Sequence, residues 1–178
     1  MEEVTAPVRQ DVLVDRAHED RLLHRVCDKV WAQGYDASNT AIVTVSTDYS
    51  SVVGQFLRHQ LTAAGEICVG FGVDVPYPDQ LFDAEFTEMI EALCRLYHDS
   101  VGNKTLLLVE AGVIRGGNYA KVVEIFRRMF PMQTTILTLT LFENIHSQWK
   151  SDVVGEYYDD TTHDLTFWWE QPNIHWAR

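Results

Sequence analysis

An acidic side chain, Glu110, is followed five residues later by Arg115 and then by Gly116, Gly117, Asn118 and Tyr119. Adjacent glycines let the backbone turn tightly, and a helix that starts there presents N–H groups with no partner inside the helix. Those groups sit at the positive end of the helix dipole, so the chemistry this spacing offers is the holding of a phosphate or another anion. Arg115 suits the same use, because a guanidinium grips phosphate oxygens through two parallel hydrogen bonds. It can equally pair with Glu110 or Asp48 in an empty site, and the glycines with Asn118 also suit a plain tight turn and helix cap. Glu110 is as readily a solvated carboxylate at a strand end. His146, His163 and His175 lack metal-ligand spacing, and no Cys-His or Ser-His-Asp grouping stands out.

The elements around this stretch must place it at a sheet edge. Residues 105–109 are apolar or β-branched without alternation, which predicts a strand buried on both faces and ending at Glu110. Tyr119, Val122, Val123, Ile125 and Phe126 then recur at helical spacing until Pro131 stops them. Upstream, residues 40–45 read as a strand running into Ser46, Thr47, Asp48, Tyr49 and Ser50, and Val52, Val53, Phe56, Leu57 and Leu61 make a helical stripe. Residues 67–73 and 134–141 read as two more strands. Phe82, Phe86, Met89, Ile90, Leu93 and Tyr97 predict a packed helix over 80–97, an ordinary crossover between parallel strands. Val12, Leu13, Leu22, Leu23, Val26, Val30 and Trp31 predict a helix over 11–33, ended by Gly34. Such alternation implies an α/β fold, a mainly parallel sheet with helices on both faces, whose ligands bind at the carboxyl ends of the strands.

A chain of 178 residues supports one domain with a sizeable core. Its net charge of −12 argues against a nucleic-acid or anionic-membrane partner, which needs clustered Lys and Arg, yet leaves room for a single bound phosphate. No apolar run reaches the roughly 20 residues of a membrane helix, and the acidic start is unlike a signal peptide. Cys27, Cys68 and Cys94 lie far apart in apolar settings, which favours reduced core thiols and a cytoplasmic location.

The 104–119 stretch resembles the phosphoribosyl-pyrophosphate (PRPP) motif of the type I phosphoribosyltransferases, in which an apolar run leads to two acids, two apolar residues, a further acid and Thr-Gly. Glu110 matches the first acid, Val113 an apolar position and Gly116 the glycine. Ala111 stands in place of the second acid, Ile114 in place of the catalytic carboxylate, Arg115 in place of Thr, and Asn118 where a phosphate-binding hydroxyl usually sits. The closing segment carries a second likeness: Lys150-Ser151-Asp152-Val153-Val154, then Asp164 to Glu170, resemble the end of the hypoxanthine and xanthine branch, which finishes a strand with Phe-Pro-Trp-Glu. The resemblance implies a type I phosphoribosyltransferase-like domain over 1–178, with an N-terminal helical region at 1–34, an α/β core at 40–141 and a hood-like segment at 142–178.

From the same resemblance, Glu110 would hold ribose hydroxyls or magnesium, and Thr47, Asp48, Tyr49 and Ser50 occupy the pyrophosphate-loop position without its usual glycine or cation. Phe142, Val153 and Trp169 fall in the base-pocket region, where Glu143 and Asn144 stand in the stretch that normally offers a lysine and Val153 in place of an aromatic. Trp149 and Tyr157 are further aromatic candidates there. The 80–97 helix would take the place of a mobile closing loop. A degenerate transferase is therefore expected, one that retains a phosphate, nucleotide or PRPP loop and acts by binding a ligand or partner. Its rivals are an active purine-type transferase that uses magnesium with Glu110 as its catalytic-site acid, and a structural subunit of a homo-oligomer or other assembly.

Overall fold

The computed structural model describes residues 9–45, 49–62, 68–73, 84–130 and 135–167. In chain order its elements are β1 (Gln10–Val14), α1 (Arg16–Ala32), β2 (Thr40–Val45), α2 (Tyr49–Leu61), β3 (Val69–Val73), α3 (Ala84–Val101), β4 (Thr105–Val113), α4 (Gly117–Met129), β5 (Ile136–Asn144), β6 (Val153–Tyr158) and β7 (His163–Phe167). Five strands form one parallel sheet in the order β3-β2-β4-β5-β6, and β1 pairs with β7 in a separate parallel ribbon.

The unalternated run of β4 is explained by its central place, between β2 and β5. Leu107 and Val109 enter the core shared with Leu22 and Val26 of α1 and Val53 and Leu57 of α2. Leu106 and Leu108 point the other way, against Ile90 and Cys94 of α3 and Val122 and Phe126 of α4. Both faces of the strand are thus dry, and each large side chain fully buried there contributes roughly 1.5–3 kcal/mol. Phe126 stacks on Phe71 and Phe130 at centroid distances of 6.1 and 5.6 Å.

Three boundaries differ from expectation. Residues 10–14 are a strand rather than the first turn of a helix: Val14 is buried, Gln10 aligns with His163 and Val14 with Phe167. Asp15 then starts α1, its carboxylate accepting the His18 N–H at 2.7 Å. β4 continues through Glu110 to Val113, because Glu110 pairs with Thr140 and Val113 with Glu143 on β5. β5 itself runs on to Asn144, which places Phe142 and Glu143 inside the sheet. The helix over 80–97 is α3 in its described part: Ile90 and Cys94 are buried, Tyr97 stacks on Phe71 at 4.3 Å, and Glu91 pairs with Arg128 of α4.

α1 does more than cover a face. Arg25 donates to the Gly155 carbonyl at 3.1 Å and Lys29 to that of Val154 at 2.5 Å, so the helix occupies backbone acceptors of the edge strand β6. Gly34 ends α1 with φ at +82° and its N–H on the Trp31 carbonyl, as its sequence position predicts. The three cysteines are buried free thiols, and burial pushes Cys27 and Cys94 up to about 12, so both stay neutral. No described helix is long and apolar enough to cross a membrane.

Candidate functional site

At the carboxyl ends of β4 and β5 two connections meet, the 114–116 turn and the 144–152 loop. The turn is short. Gly116 sits at its end in the left-handed conformation, φ +79° and ψ 0°, and serves as the N-cap of α4 without a side-chain cap. The first bond of the helix runs from the Ala120 N–H to the Gly116 carbonyl at 3.0 Å, so the N–H groups of Gly117, Asn118 and Tyr119 precede the helical ladder. Arg115 is exposed, and no described side chain forms an ion pair or hydrogen bond with its guanidinium. The expected alternative, an Arg115–Glu110 pair filling the turn, is therefore not what the chain adopts; Asp48 lies outside the described residues.

Glu110 is half-buried in β4, three residues before the strand ends, and its charge is one cause of the raised Tyr119 phenol. Tyr119 departs from the predicted phosphate set. Its side chain is 3% exposed, its hydroxyl donates to the Leu108 carbonyl at 2.5 Å, and burial, with Glu110 second, holds its pKa well above the ordinary value. Only its backbone can serve a ligand. The spacing Tyr119, Val122, Val123, Phe126 already carried that signal, since it is one core-facing stripe. Asn118 takes the second position of α4, after the cap.

The base-pocket candidates also resolve into core. Phe142, 2% exposed, meets His18 and Phe167 edge-on at 6.0 and 5.4 Å, and Val153 is buried opposite Leu139. Both belong to the α1 side of the core, so neither presents a surface to a base. Trp169, Thr47 and Asp48 lie outside the described residues; Tyr49 and Ser50 open α2. Tyr157 stands exposed on β6, while Trp149 is half-buried against α4, its ring 5.7 Å from that of Tyr119.

What sequence reasoning missed is the loop after β5. Glu143 is fully buried, and its carboxylate accepts the Ser151 N–H at 2.7 Å, with the Lys150 ammonium 3.5 Å from its other oxygen. Lys150 also donates to the Ile145 carbonyl at 3.1 Å, and the Ser147 N–H returns to Asn144 at 2.9 Å. The loop so folded lies directly on the turn: Gln148 donates to the Arg115 carbonyl at 3.2 Å, and a Cβ on Gly116 would come within 2.4 Å of the Trp149 Cβ. Among the described residues, the buried atoms Glu143 Oε1, Trp149 Nε1 and Ser151 Oγ find no hydrogen-bond partner, although Lys150 balances the first electrostatically. The loop also brings His146 to within 3.3 Å of Asp159, with Asp160 close by, a grouping that sequence spacing hid. Asp159 is held below the usual carboxylate range by the Thr161 hydroxyl and N–H first and by His146 after them, so its oxygen is already engaged.

No family model matches the chain, and no curated protein matches it. Solved structures do. A purine phosphoribosyltransferase from Pyrococcus horikoshii aligns at a TM-score of 0.62 and 15% identity, covering 90% of this chain and 95% of that one. The xanthine-guanine-hypoxanthine phosphoribosyltransferase of Helicobacter pylori aligns at 0.59 and 14%, covering 90% and 94%. A hypothetical protein from Neisseria gonorrhoeae, solved with ppGpp bound, aligns at 0.67 and 13%, covering 94% and 93%. At these identities the likeness is one of fold, and it is the type I phosphoribosyltransferase fold over nearly the whole chain.

Proposed function

We propose that this chain is a phosphoribosyltransferase-fold protein that binds a phosphorylated ligand at the 114–119 turn and does not transfer phosphoribosyl groups. The observation that carries the reading is the start of α4: three N–H groups ahead of the helical ladder, no side-chain cap, and an exposed Arg115 with no described partner. Backbone donors at a helix start survive the loss of acids at Ala111 and Ile114, whereas the ribose-holding and proton-transfer roles of those acids do not. A nucleotide suits the site better than inorganic phosphate, because exposed Ile114, Ile145 and Tyr157 stand at the same end of the sheet and would meet an uncharged moiety. The ppGpp bound to the Neisseria protein of this fold is in keeping with that class. Glu110 is the one carboxylate that β4 brings to the site, Ala111 adding none, and because magnesium is usually held by one or two carboxylates beside substrate phosphates, Glu110 would be the β4 residue to hold the ion if it entered with a phosphorylated ligand.

Titration calorimetry with 5′-GMP, 5′-AMP and inorganic phosphate tests the reading. At least one should bind, and Arg115→Ala should weaken that binding about 10- to 100-fold, the scale of a hydrogen-bonded charge pair. Incubation with PRPP, magnesium and hypoxanthine, guanine or xanthine should release no pyrophosphate above background. Steady turnover that Glu110→Ala abolishes would establish the active transferase instead.

A further inference from the structure

We infer that His146, Asp159 and Asp160 form a binding site for a divalent transition-metal ion of the zinc class, which clasps the loop after β5 to the turn between β6 and β7. The site stands apart from the 114–119 turn, and the inference does not depend on the phosphate reading. One ring nitrogen and one oxygen from each carboxylate lie within 4.8 Å of one another, although the histidine comes from a different loop. The His146 Nε2 to Asp159 Oδ1 distance is 3.3 Å. A charge-assisted hydrogen bond to a carboxylate closes to about 2.7–2.9 Å, as that of His18 and Glu156 does at 2.9 Å, whereas two ligands held about 2.0–2.1 Å from a tetrahedral zinc stand roughly 3.3 Å apart. His146 is exposed and both aspartates are half-buried, so an ion reaches the group from solvent.

The backbone sets these groups in place before any ion arrives. The Ile145 N–H donates to the Tyr158 carbonyl at 2.8 Å, so the residue before the histidine is fixed to the residue before the aspartates. The His146 N–H donates to the Asn144 side chain at 3.0 Å, and the Thr162 and His163 N–H groups both return to the Asp159 carbonyl. Asp159 spends its Oδ1 on the Thr161 hydroxyl and N–H, which hold it ionised, and its Oδ2 has no described partner. Asp160 has no hydrogen bond or ion pair among the described residues, and Arg9, whose guanidinium it influences, pairs with Asp164 instead. Two adjacent carboxylates without a described Lys or Arg partner draw a cation, and the imidazole beside them selects a metal that accepts nitrogen over magnesium or calcium, which take oxygen ligands. Three protein ligands leave a further position to water.

Calorimetric titration of zinc chloride into the chelator-treated protein is the direct test. One ion per chain should bind, and His146→Ala and Asp160→Asn should each weaken it at least about 10-fold. Asp160→Asn keeps the size of the side chain and breaks no described hydrogen bond, so it decides the matter if the histidine variant does not fold. The ligands come from two segments that separate on unfolding, so zinc should raise the thermal midpoint of the wild-type protein and slow hydrogen exchange at the Ile145 amide, and do neither in Asp160→Asn. No zinc binding by the wild-type protein, or binding that both variants leave unchanged, would overturn the inference. Binding that only one of two folded variants weakens would mean an isolated surface ligand rather than a three-residue site, and would overturn it as well.

Discussion

The 114–116 turn and the 144–152 loop follow neighbouring strands and touch each other, yet they are built on opposite principles. The turn has one backbone device, the left-handed Gly116, and leaves its N–H groups and its arginine directed outward. The loop is folded around a charge kept fully inside: Glu143 takes the Ser151 N–H, Lys150 crosses back over the loop, and Asn144 receives both the His146 N–H at 3.0 Å and that of Ser147. A segment that must meet a ligand keeps its donors unspent, and a segment that must stay in place spends them internally. A site assembled from one of each can be stiff on one side and receptive on the other.

The contrast is broken most severely at their contact. Gly116→Ala should destabilise the protein by about 2–4 kcal/mol, combining left-handed strain with an overlap against Trp149 and Ser147. Urea denaturation measures it, and a loss below ~1 kcal/mol would mean that the two segments are not packed as closely as described. Glu143→Leu should cost about 2 kcal/mol, the scale of a hydrogen bond to a charged group, and should speed hydrogen exchange at the Ser151 amide. A more stable Glu143→Leu protein would show that desolvating the carboxylate outweighs what it holds, and the loop would lose its assigned anchor. Arg115→Ala should alter stability least, within about 0.5 kcal/mol, because its guanidinium has no described partner. A larger loss would make Arg115 a structural part of the turn and remove the difference between the two segments.

How much of this was legible depends on how far apart the deciding residues lie. The sheet, its parallel sense and the positions of β2, β4, α3 and α4 follow from periodicity over a few residues, and Gly116 and Gly34 follow from the conformations that only glycine adopts easily. β1 escaped notice because Val12 and Leu13 also satisfy a helical stripe, and what makes residues 10–14 a strand is β7, at the other end of the chain. Phe142 and Val153 sat in the expected segment of the resemblance but not in an open pocket, since β5 and β6 carry them into the core beneath α1.

The amino-acid sequence by itself determined the α/β alternation, the buried central strand, the glycine turn at the start of α4 and the absence of acids at Ala111 and Ile114, all of which are local in the chain or simply matters of composition. Only the tertiary structure decided that Tyr119 turns its hydroxyl into the core, that Glu143 is buried with Lys150 above it, and that Ser147 and Trp149 close on Gly116. Those outcomes depend on which strands become neighbours and on how a buried charge or hydroxyl finds partners there. No pattern within a single segment records that pairing, because its free energy resides in contacts between segments.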